Sequence, residues 1–299
     1  MEKKPLVSMI ILAWNGRTVL RKNLESLKRF FGREEYELIV VDNGSTDETP
    51  KILEEYKNDL RIIKNTKNLG FAAGNNVGIK TAQGKYILLL NQDVECIGDA
   101  IEKMVAFLED HPQYGAVAPQ LLYPDGRVQI SCRPFYGWKT FLLELLTLGI
   151  YKNRFYDHNR SQDVDQPMAS VLMIRGELLK KLEGFDDHQD FWLYFNDVDL
   201  SYRIHQAGFR HYFLSEAKFY HHHGQSAYNL KNFKRTWLWH RGLRRFFLKH
   251  IIKSKWSFQY LTFVGLSVLS YLLVNLAQGL RGAFSLSRKD VSAIRRRKS

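Results

Sequence analysis

The sequence predicts an α/β protein built on a mostly parallel central sheet and followed by a helical, basic C-terminal tail. Short β-branched apolar runs alternate with longer segments of helical period through the first 125 residues, and each run ends in polar or glycine-rich residues. Positive charge is concentrated near the C-terminal end.

The runs Leu6 to Leu12, Glu37 to Val41, Leu60 to Ile63 and Tyr86 to Leu90 read as strands. Between the first two, Val19, Leu20, Leu24, Leu27 and Phe31 recur at helical spacing. A second helix is predicted after Thr46, with Asp47 and Glu48 in its first turn, where acids suit the helix dipole. The strands end in Trp14-Asn15-Gly16, Asp42-Asn43-Gly44-Ser45, Asn65 to Gly70, and Asn91-Gln92-Asp93. Ligands of open parallel sheets bind beyond the carboxyl ends of the strands, so these four tips are predicted to line one rim. A single such tip is an ordinary turn, but four in phase with four strands make a binding edge.

Residues 126–165 are irregular except for KTFLLELLTLGIY (139–151), which reads as a core helix or a lid. MASVLMI (168–174) reads as a strand and ELLKKLEG as a helix ending at Gly184. A further helix starts at Asn196 and Asp197 and is stopped by Gly208.

With 299 residues, 45% of them hydrophobic, the chain can bury a large core and is not a disordered protein. Two cysteines, Cys96 and Cys132, and an N-terminus without a secretory apolar run lead to the expectation of a reducing, cytoplasmic setting. Residues 231–299 hold 16 Lys or Arg and one acid, Asp290, whereas the first 230 residues hold 28 bases and 30 acids. A nearly neutral body argues against a nucleic-acid binder.

No G-x-x-x-x-G-K-[ST] motif occurs and no G-x-G-x-x-G follows the first strand, which removes the best support for ATPase and dinucleotide readings. A nucleotidyltransferase would want a basic phosphate loop there, and Ala13-Trp14-Asn15 does not supply one. In NLGFAAGNNVGI (68–79), Gly70 and Gly74 let backbone approach a ligand, and Asn75 and Asn76 offer amide donors and acceptors. Asp93 on a strand tip suits a hard cation such as Mg²⁺ or Mn²⁺, which completes its shell with diphosphate oxygens and water. In FYHHHGQS, neighbouring histidines of an extended chain face opposite ways, so one of His221 to His223 is expected to be a second ligand. Asp197 and Asp199 point about 200° apart on a helix, so one is a base candidate and the other structural.

In this order, LVSMIILAWNG, LIVVDNGSTDET, NLGFAAGNNVGI, LLLNQDVE, GFDDHQDFWLYFNDVDLSYRIHQAGF and YHHHGQS resemble the family 2 glycosyltransferases of GT-A fold, nearest the bacterial rhamnosyltransferase branch. The resemblance covers about residues 5–250. It implies an inverting transferase that uses a nucleotide-activated sugar and Mg²⁺ or Mn²⁺, with a Rossmann-like catalytic domain over 1–228 (nucleotide-binding half 1–125, acceptor half 126–228) and a tail over 229–299. By the same resemblance Trp14, Asn15 and Asp42 hold base and ribose, and Asn68, Gly70 and Asn75 hold the nucleotide sugar with Asn91 and Gln92 beside them. Asp93 holds the metal; His221, spaced with Gly224 and Ser226 as His-x-x-Gly-x-Ser, is its second ligand; and Asp197 is the general base. Asn91 stands where the family often has the first acid of Asp-x-Asp, and Asn196 where an acid usually precedes the base. The Gln-x-x-Arg-Trp motif of processive polymerases is absent, which implies single-sugar addition.

Residues 258–280 carry no charge over 23 positions, long enough to span a bilayer. Gln259, Thr262, Ser267, Ser270 and Gln278 fall on one helical face and Leu261, Val268, Leu272 and Leu276 on the other, a pattern that favours a helix lying in the interface. Flanking bases, including Arg241, Arg244, Arg245, Lys249 and Arg295 to Lys298, would attract anionic lipid. The expected partners are therefore a nucleoside-diphosphate sugar, a glycan or lipid-linked glycan acceptor, and the inner face of the cell membrane. No nucleic-acid partner is expected, and homo-oligomerisation is compatible with this set.

Overall fold

A computed structural model describes residues 4–147, 155–222, 232–254 and 256–276. Its contacts divide the chain into two compact units, Met1–Tyr136 with Asn153–Ser226, and Gly137–Lys152 with Ala227–Ser299.

The first unit begins with β1 (Val7–Ala13), α1 (Leu20–Leu27), β2 (Tyr36–Asp42), α2 (Thr49–Glu55), β3 (Arg61–Lys64), α3 (Phe71–Thr81) and β4 (Tyr86–Asn91). The strands β3, β2, β1 and β4 lie side by side and parallel, with Ile10 opposite both Ile39 and Leu89. Side chains alternate across this sheet. Met9, Ile11, Val40, Leu88 and Leu90 enter one apolar layer with Leu20, Leu24 and Leu27 of α1, while Ile10, Ile39, Val41, Ile87 and Leu89 enter the other with Ile79 of α3. Burial on both faces is why these strands read as unbroken apolar runs, each buried Leu or Ile contributing about 1.5–3 kcal/mol.

Two helices differ locally from expectation. α1 ends at Leu27 and passes into a 3₁₀ turn, Lys28–Phe30, so Phe30 rather than Phe31 is fully buried. α2 begins only at Thr49 with Pro50 in its first turn, and Asp47 lies outside the helix, its Oδ1 accepting the Thr49 N–H at 2.9 Å.

The unit continues with β5 (Val94–Ile97), α4 (Ala100–Asp110), β6 (Tyr114–Leu122), β7 (Cys132–Arg133), β8 (Gln162–Val164), β9 (Gln166–Pro167), β10 (Val171–Arg175), α6 (Gly176–Lys181), α7 (Asn196–Gln206) and β11 (Arg210–His221); α5 (Trp138–Leu146) belongs to the second unit. The sheet order is β3-β2-β1-β4-β10-β6-β11-β5, with β8 on β11. β10, β5 and β8 run antiparallel to their neighbours, which makes the sheet mixed while its six remaining strands share one direction. Gly115 and Pro119 lie inside β6, and its pairing with β11 breaks register between Leu214 and Lys218, next to the proline that lacks a ladder N–H.

In the second unit, α5, α8 (Asn232–Phe246), a π-helical turn (Phe247–Ile251) and α9 (Phe258–Leu276) meet around Trp138, Phe141, Phe247 and Phe263. The Phe247 and Phe263 rings stack with centroids 4.4 Å apart. The segment expected as part of an acceptor half thus belongs with the tail. Leu261, Val268, Leu272 and Leu276 of α9 are exposed, whereas Ser270 of its polar stripe is buried. Gln278, Tyr151 and Arg295 to Lys298 lie outside the described residues.

Candidate active site

Because β1, β2, β3 and β4 run parallel, their four tips share one rim. The side chains there first brace one another. Gln92 bridges the Trp14 main chain in both directions, its Oε1 accepting the N–H at 2.9 Å and its Nε2 donating to the carbonyl at 3.0 Å. Gln92 thereby holds half-buried Trp14 in place, with one amide hydrogen and one oxygen lone pair beyond these two bonds. Asn15, in the left-handed region at φ 48°, donates its N–H to Ser45 Oγ at 3.0 Å and accepts the Thr46 N–H on Oδ1 at 2.8 Å, which ties the first tip to the second. Asp42 is buried, and its Oδ1 accepts the Ser45 N–H at 3.0 Å.

Asn43, which sequence reasoning left without a role, is the hub of the rim. Its Nδ2 donates to Asn68 Oδ1 and to the Gly70 carbonyl, both at 3.1 Å, and its Oδ1 accepts Asn65 Nδ2 at 3.1 Å and the Leu69 N–H at 3.0 Å. The third tip is thereby fixed to the second. Gly70 sits at φ 85° under the indole of Trp192, and a Cβ there would lie 2.4 Å from Trp192 Cδ1. Gly74 lies against β1, where a Cβ would meet Leu12 Cδ1 at 2.6 Å, so it seats α3 on that strand. Asn75, buried in α3, returns its Nδ2 to the Phe71 carbonyl at 2.9 Å. Asn91 closes β4, with its N–H on the Ser170 carbonyl at 2.9 Å.

Beyond Asn91 the chain turns through Gln92 and Asp93 into β5, which pairs antiparallel with the end of β11. The register His221↔Val94 sets His221 beside Asp93, both buried, with Nε2 3.6 Å from Asp93 Oδ1. Gln129 controls this histidine. Its Nε2 donates to the His221 carbonyl at 2.7 Å, which turns its Oε1 toward His221 Nδ1 at 2.9 Å. An amide oxygen cannot donate, so Nδ1 carries the proton, and in the neutral ring Nε2 turns a lone pair toward a carboxylate. At that distance a proton on Nε2 pairs with the carboxylate, and a cation in its place would be held by both groups. A carboxylate and an oriented imidazole form a donor set that fits a divalent cation. His222 faces the other way, its Nε2 2.5 Å from Glu95 Oε1, as alternation along an extended chain requires. His223, Gly224 and Ser226 lie outside the described residues.

Asp197 and Asp199 separate as their helical spacing demands. Asp199 is fully buried and bonds Arg203 Nε at 2.7 Å, while that arginine also donates to the Leu182 and Gly184 carbonyls, each at 2.8 Å. Asp197, partly accessible at the start of α7, has its proton affinity raised by burial, opposed by the Arg133 charge and by backbone N–H donors. Phe195, just before, is held at φ 67°, a conformation bulky side chains rarely adopt, and this sets the angle at which α7 begins. The loop ahead of it is tied to α3: Phe71 N–H donates to the Trp192 carbonyl at 3.2 Å, and the Asn76 amide both donates to and accepts from the Phe185 main chain at 2.8 and 2.9 Å. Asn43, Asn76 and Gln129 thus brace the site, a role that the sequence did not suggest. The side-chain alternation of Gln129, Ser131 and Arg133 is visible afterwards, but within an irregular stretch it carries no signal.

A family model described as "Glycosyl transferase family 2" matches residues 8–200. An uncharacterised protein of Sinorhizobium fredii is 32% identical over 76% of this chain, and the chain spans 25% of that protein's length. An N-acetylglucosaminyl-diphospho-decaprenol L-rhamnosyltransferase of Mycobacterium tuberculosis is 25% identical over 64% of the chain and 67% of its own. Among solved structures, the mannosyltransferase PcManGT of Pyrobaculum calidifontis, in complex with GDP-Man and Mn²⁺, superposes with a TM-score of 0.58 at 17% identity, covering 97% of this chain and 81% of its own. The fold is GT-A.

Proposed function

Since the chain belongs to glycosyl transferase family 2 and is a glycosyltransferase that uses a nucleotide donor, we propose that it inverts the anomeric centre and adds one sugar per acceptor. The proposed donor is dTDP-rhamnose and the acceptor a lipid-linked or cell-surface polysaccharide, a reading supported by the mycobacterial relative's name.

The observation that carries the chemistry is a division of labour among three carboxylates. Asp93 faces His221, Asp199 is bound to Arg203, and Asp197 remains at the accessible start of α7. Asp93 and His221 would hold Mg²⁺ or Mn²⁺, which when bound neutralises charge developing on the departing nucleoside diphosphate. Trp14, Asn15 and Asp42 shape the base and ribose end of the rim. Asn68, Gly70, Asn75 and Asn91 shape its sugar end, and Gln92 serves by fixing Trp14. Asp197 takes the proton of the acceptor hydroxyl on the face of the sugar opposite the diphosphate, and its raised proton affinity suits a general base.

The tail is proposed to hold the enzyme peripherally on the inner face of the cell membrane. α9 is long and apolar enough to cross a bilayer, yet its second-unit packing through Phe263 leaves Leu261, Val268, Leu272 and Leu276 facing outward as one strip, which supports a helix lying in the interface. Arg241, Arg244, Arg245 and Lys249 on the preceding helical segments favour anionic lipid.

The test is nucleoside diphosphate release from dTDP-rhamnose, GDP-mannose and UDP-N-acetylglucosamine, with Mn²⁺ or Mg²⁺, with and without an acceptor lipid extract. Release from dTDP-rhamnose stimulated by the extract is expected. Turnover of another donor alone would reassign the sugar, and no stimulation by lipid would reassign the acceptor.

A further inference from the structure

On its way to the catalytic rim β11 parts from β6. Leu214 pairs with Pro119 and Lys218 with Gln120, so Ser215, Glu216 and Ala217 bulge out opposite a single peptide bond of β6. Ser161 pins the bulge: its Oγ accepts the Ser215 N–H at 2.9 Å, lies 3.0 Å from Ser215 Oγ and donates to Glu216 Oε2. Beside the bulge is a cavity of about 450 Å³, lined by Gln120, Leu122, Val128, Asn159, Glu216 and Lys218 among others. That volume falls in the range of small-ligand pockets, about 300–1,000 Å³. The cavity is on the α7 side of the sheet. Ala116 and Ala118 of β6 share an apolar layer with Leu200 and Ile204 of α7, and Gln120 and Leu122 follow at the same parity. The turn that leads to Val128, closed by the Tyr123 N–H on the Arg127 carbonyl at 2.8 Å, runs straight on into Gln129, which holds His221.

The lining suits hydroxyl groups. Gln120, 5% exposed, donates Nε2 to the His158 carbonyl at 2.6 Å, and among the described residues nothing bonds its Oε1. Asn159 commits its Nδ2 to Asp157 at 3.1 Å, which leaves its amide oxygen as an acceptor. Lys218 is exposed and forms no ion pair among the described residues. The nearby Lys103, Arg127 and Arg160 are each paired with an aspartate. One carboxylate, Glu216, and one ammonium, Lys218, leave no net charge to draw a phosphate. Amide oxygens, a carboxylate and an ammonium instead match the hydroxyls of a sugar, and Leu122 and Val128 its C–H faces. We propose that this cavity is a glycan subsite, holding a sugar of the acceptor chain beyond the one that reacts. Lys218 precedes His221 by three residues on β11, about 10 Å along the strand, so the sugar held here is not the one whose hydroxyl reacts near the ion.

This inference rests on the reading of the acceptor as a glycan, and the experiment separates the two. Transfer is titrated with the acceptor lipid extract for wild type, Lys218→Ala and Val128→Trp, the last chosen to fill the cavity, and urea midpoints check that both variants fold. Lys218→Ala, at an exposed position, is expected to raise the KM for extract about tenfold with donor KM unchanged, and Val128→Trp to raise it further. Lys218→Ala decides alone should Val128→Trp not fold. Binding is read without donor or metal, by saturation-transfer NMR of the oligosaccharides freed from the extract by mild acid, with inorganic phosphate as competitor. Wild type should bind the oligosaccharides and Lys218→Ala should hold them more weakly. No binding by wild type, equal binding by all three proteins, or displacement by phosphate overturns the proposal. If the extract fails to stimulate wild type, the acceptor reading falls and this inference with it; if it stimulates all three proteins with one KM, the subsite alone falls.

Discussion

Replacing Gln129 by leucine keeps the volume of a buried side chain while deleting both bonds that orient His221. The His221 carbonyl loses a donor at 2.7 Å and Nδ1 an acceptor at 2.9 Å, both away from solvent. Each buried group left unsatisfied costs about 1–3 kcal/mol, so with two of them stability against urea should fall by about 2–6 kcal/mol. Loss of the partner that fixes the imidazole should weaken Mn²⁺ affinity by about 10–100-fold, read by electron paramagnetic resonance of free Mn²⁺ with nucleoside diphosphate present. Gln129→Glu separates the two effects. Its carboxylate accepts the Nδ1 proton but cannot donate to the carbonyl, so ion affinity should stay near wild type while stability drops. A folded Gln129→Leu protein that binds Mn²⁺ as tightly as wild type would refute the reasoning.

Asp93→Ala should abolish turnover and Mn²⁺-dependent donor binding, with His221→Ala less severe because a neutral ligand contributes less charge; full activity in chelator would count against both. Asp197→Asn should bind donor yet transfer about 10²-fold or more slowly, and wild-type transfer by this variant would reassign the base. Because burial raises the Asp197 pKa, transfer should be lost as pH falls through a midpoint above about 3.9, and the carboxylate should cost stability once pH exceeds that ordinary value. Asp197→Asn should therefore be the more stable protein at neutral pH, a difference that urea titration detects. Asp199→Asn, which breaks a buried pair, should lose about 3 kcal/mol in the same titration while donor binding persists. Cutting the chain at Ser257 would strip Phe263 from the Trp138, Phe141 and Phe247 rings, so the cleaner membrane test is Leu261→Ser with Val268→Ser and Leu272→Ser. These exposed changes should leave folding intact and end co-sedimentation with anionic vesicles; undiminished sedimentation would exclude this face as the anchor.

The legible part of the fold was its first half, where strands buried on both faces announce themselves as apolar runs and polar tips fall in phase with them. β6 escaped notice because Gly115 and Pro119 interrupt its pattern, although pairing with β11 tolerates them by shifting register. Within the site, Asp93, His221 and Asp197 could be singled out because carboxylates and imidazoles are conspicuous by type. Their supports could not, since Gln129 meets His221 across 92 positions and Asn76 meets Phe185 across 109. The bracing of the rim was equally hidden: that Gln92 bonds the Trp14 main chain at both ends cannot be read from an amide 78 positions away.

The second unit is assembled from two distant stretches of chain, and this matters on the ribosome. α5 is complete long before Phe247 and Phe263, the rings that cover Trp138 and Phe141, have been translated. At about 5–20 residues per second the wait is on the order of ten seconds. For the first part of it β10 and β11 of the other unit are also still to be made, while α5 keeps its apolar side chains without the rings that later cover them. Expression of this protein should therefore depend on holdase capacity more than its finished core suggests, and substitutions that lower the hydrophobicity of α5 should trade final packing against a safer passage through synthesis.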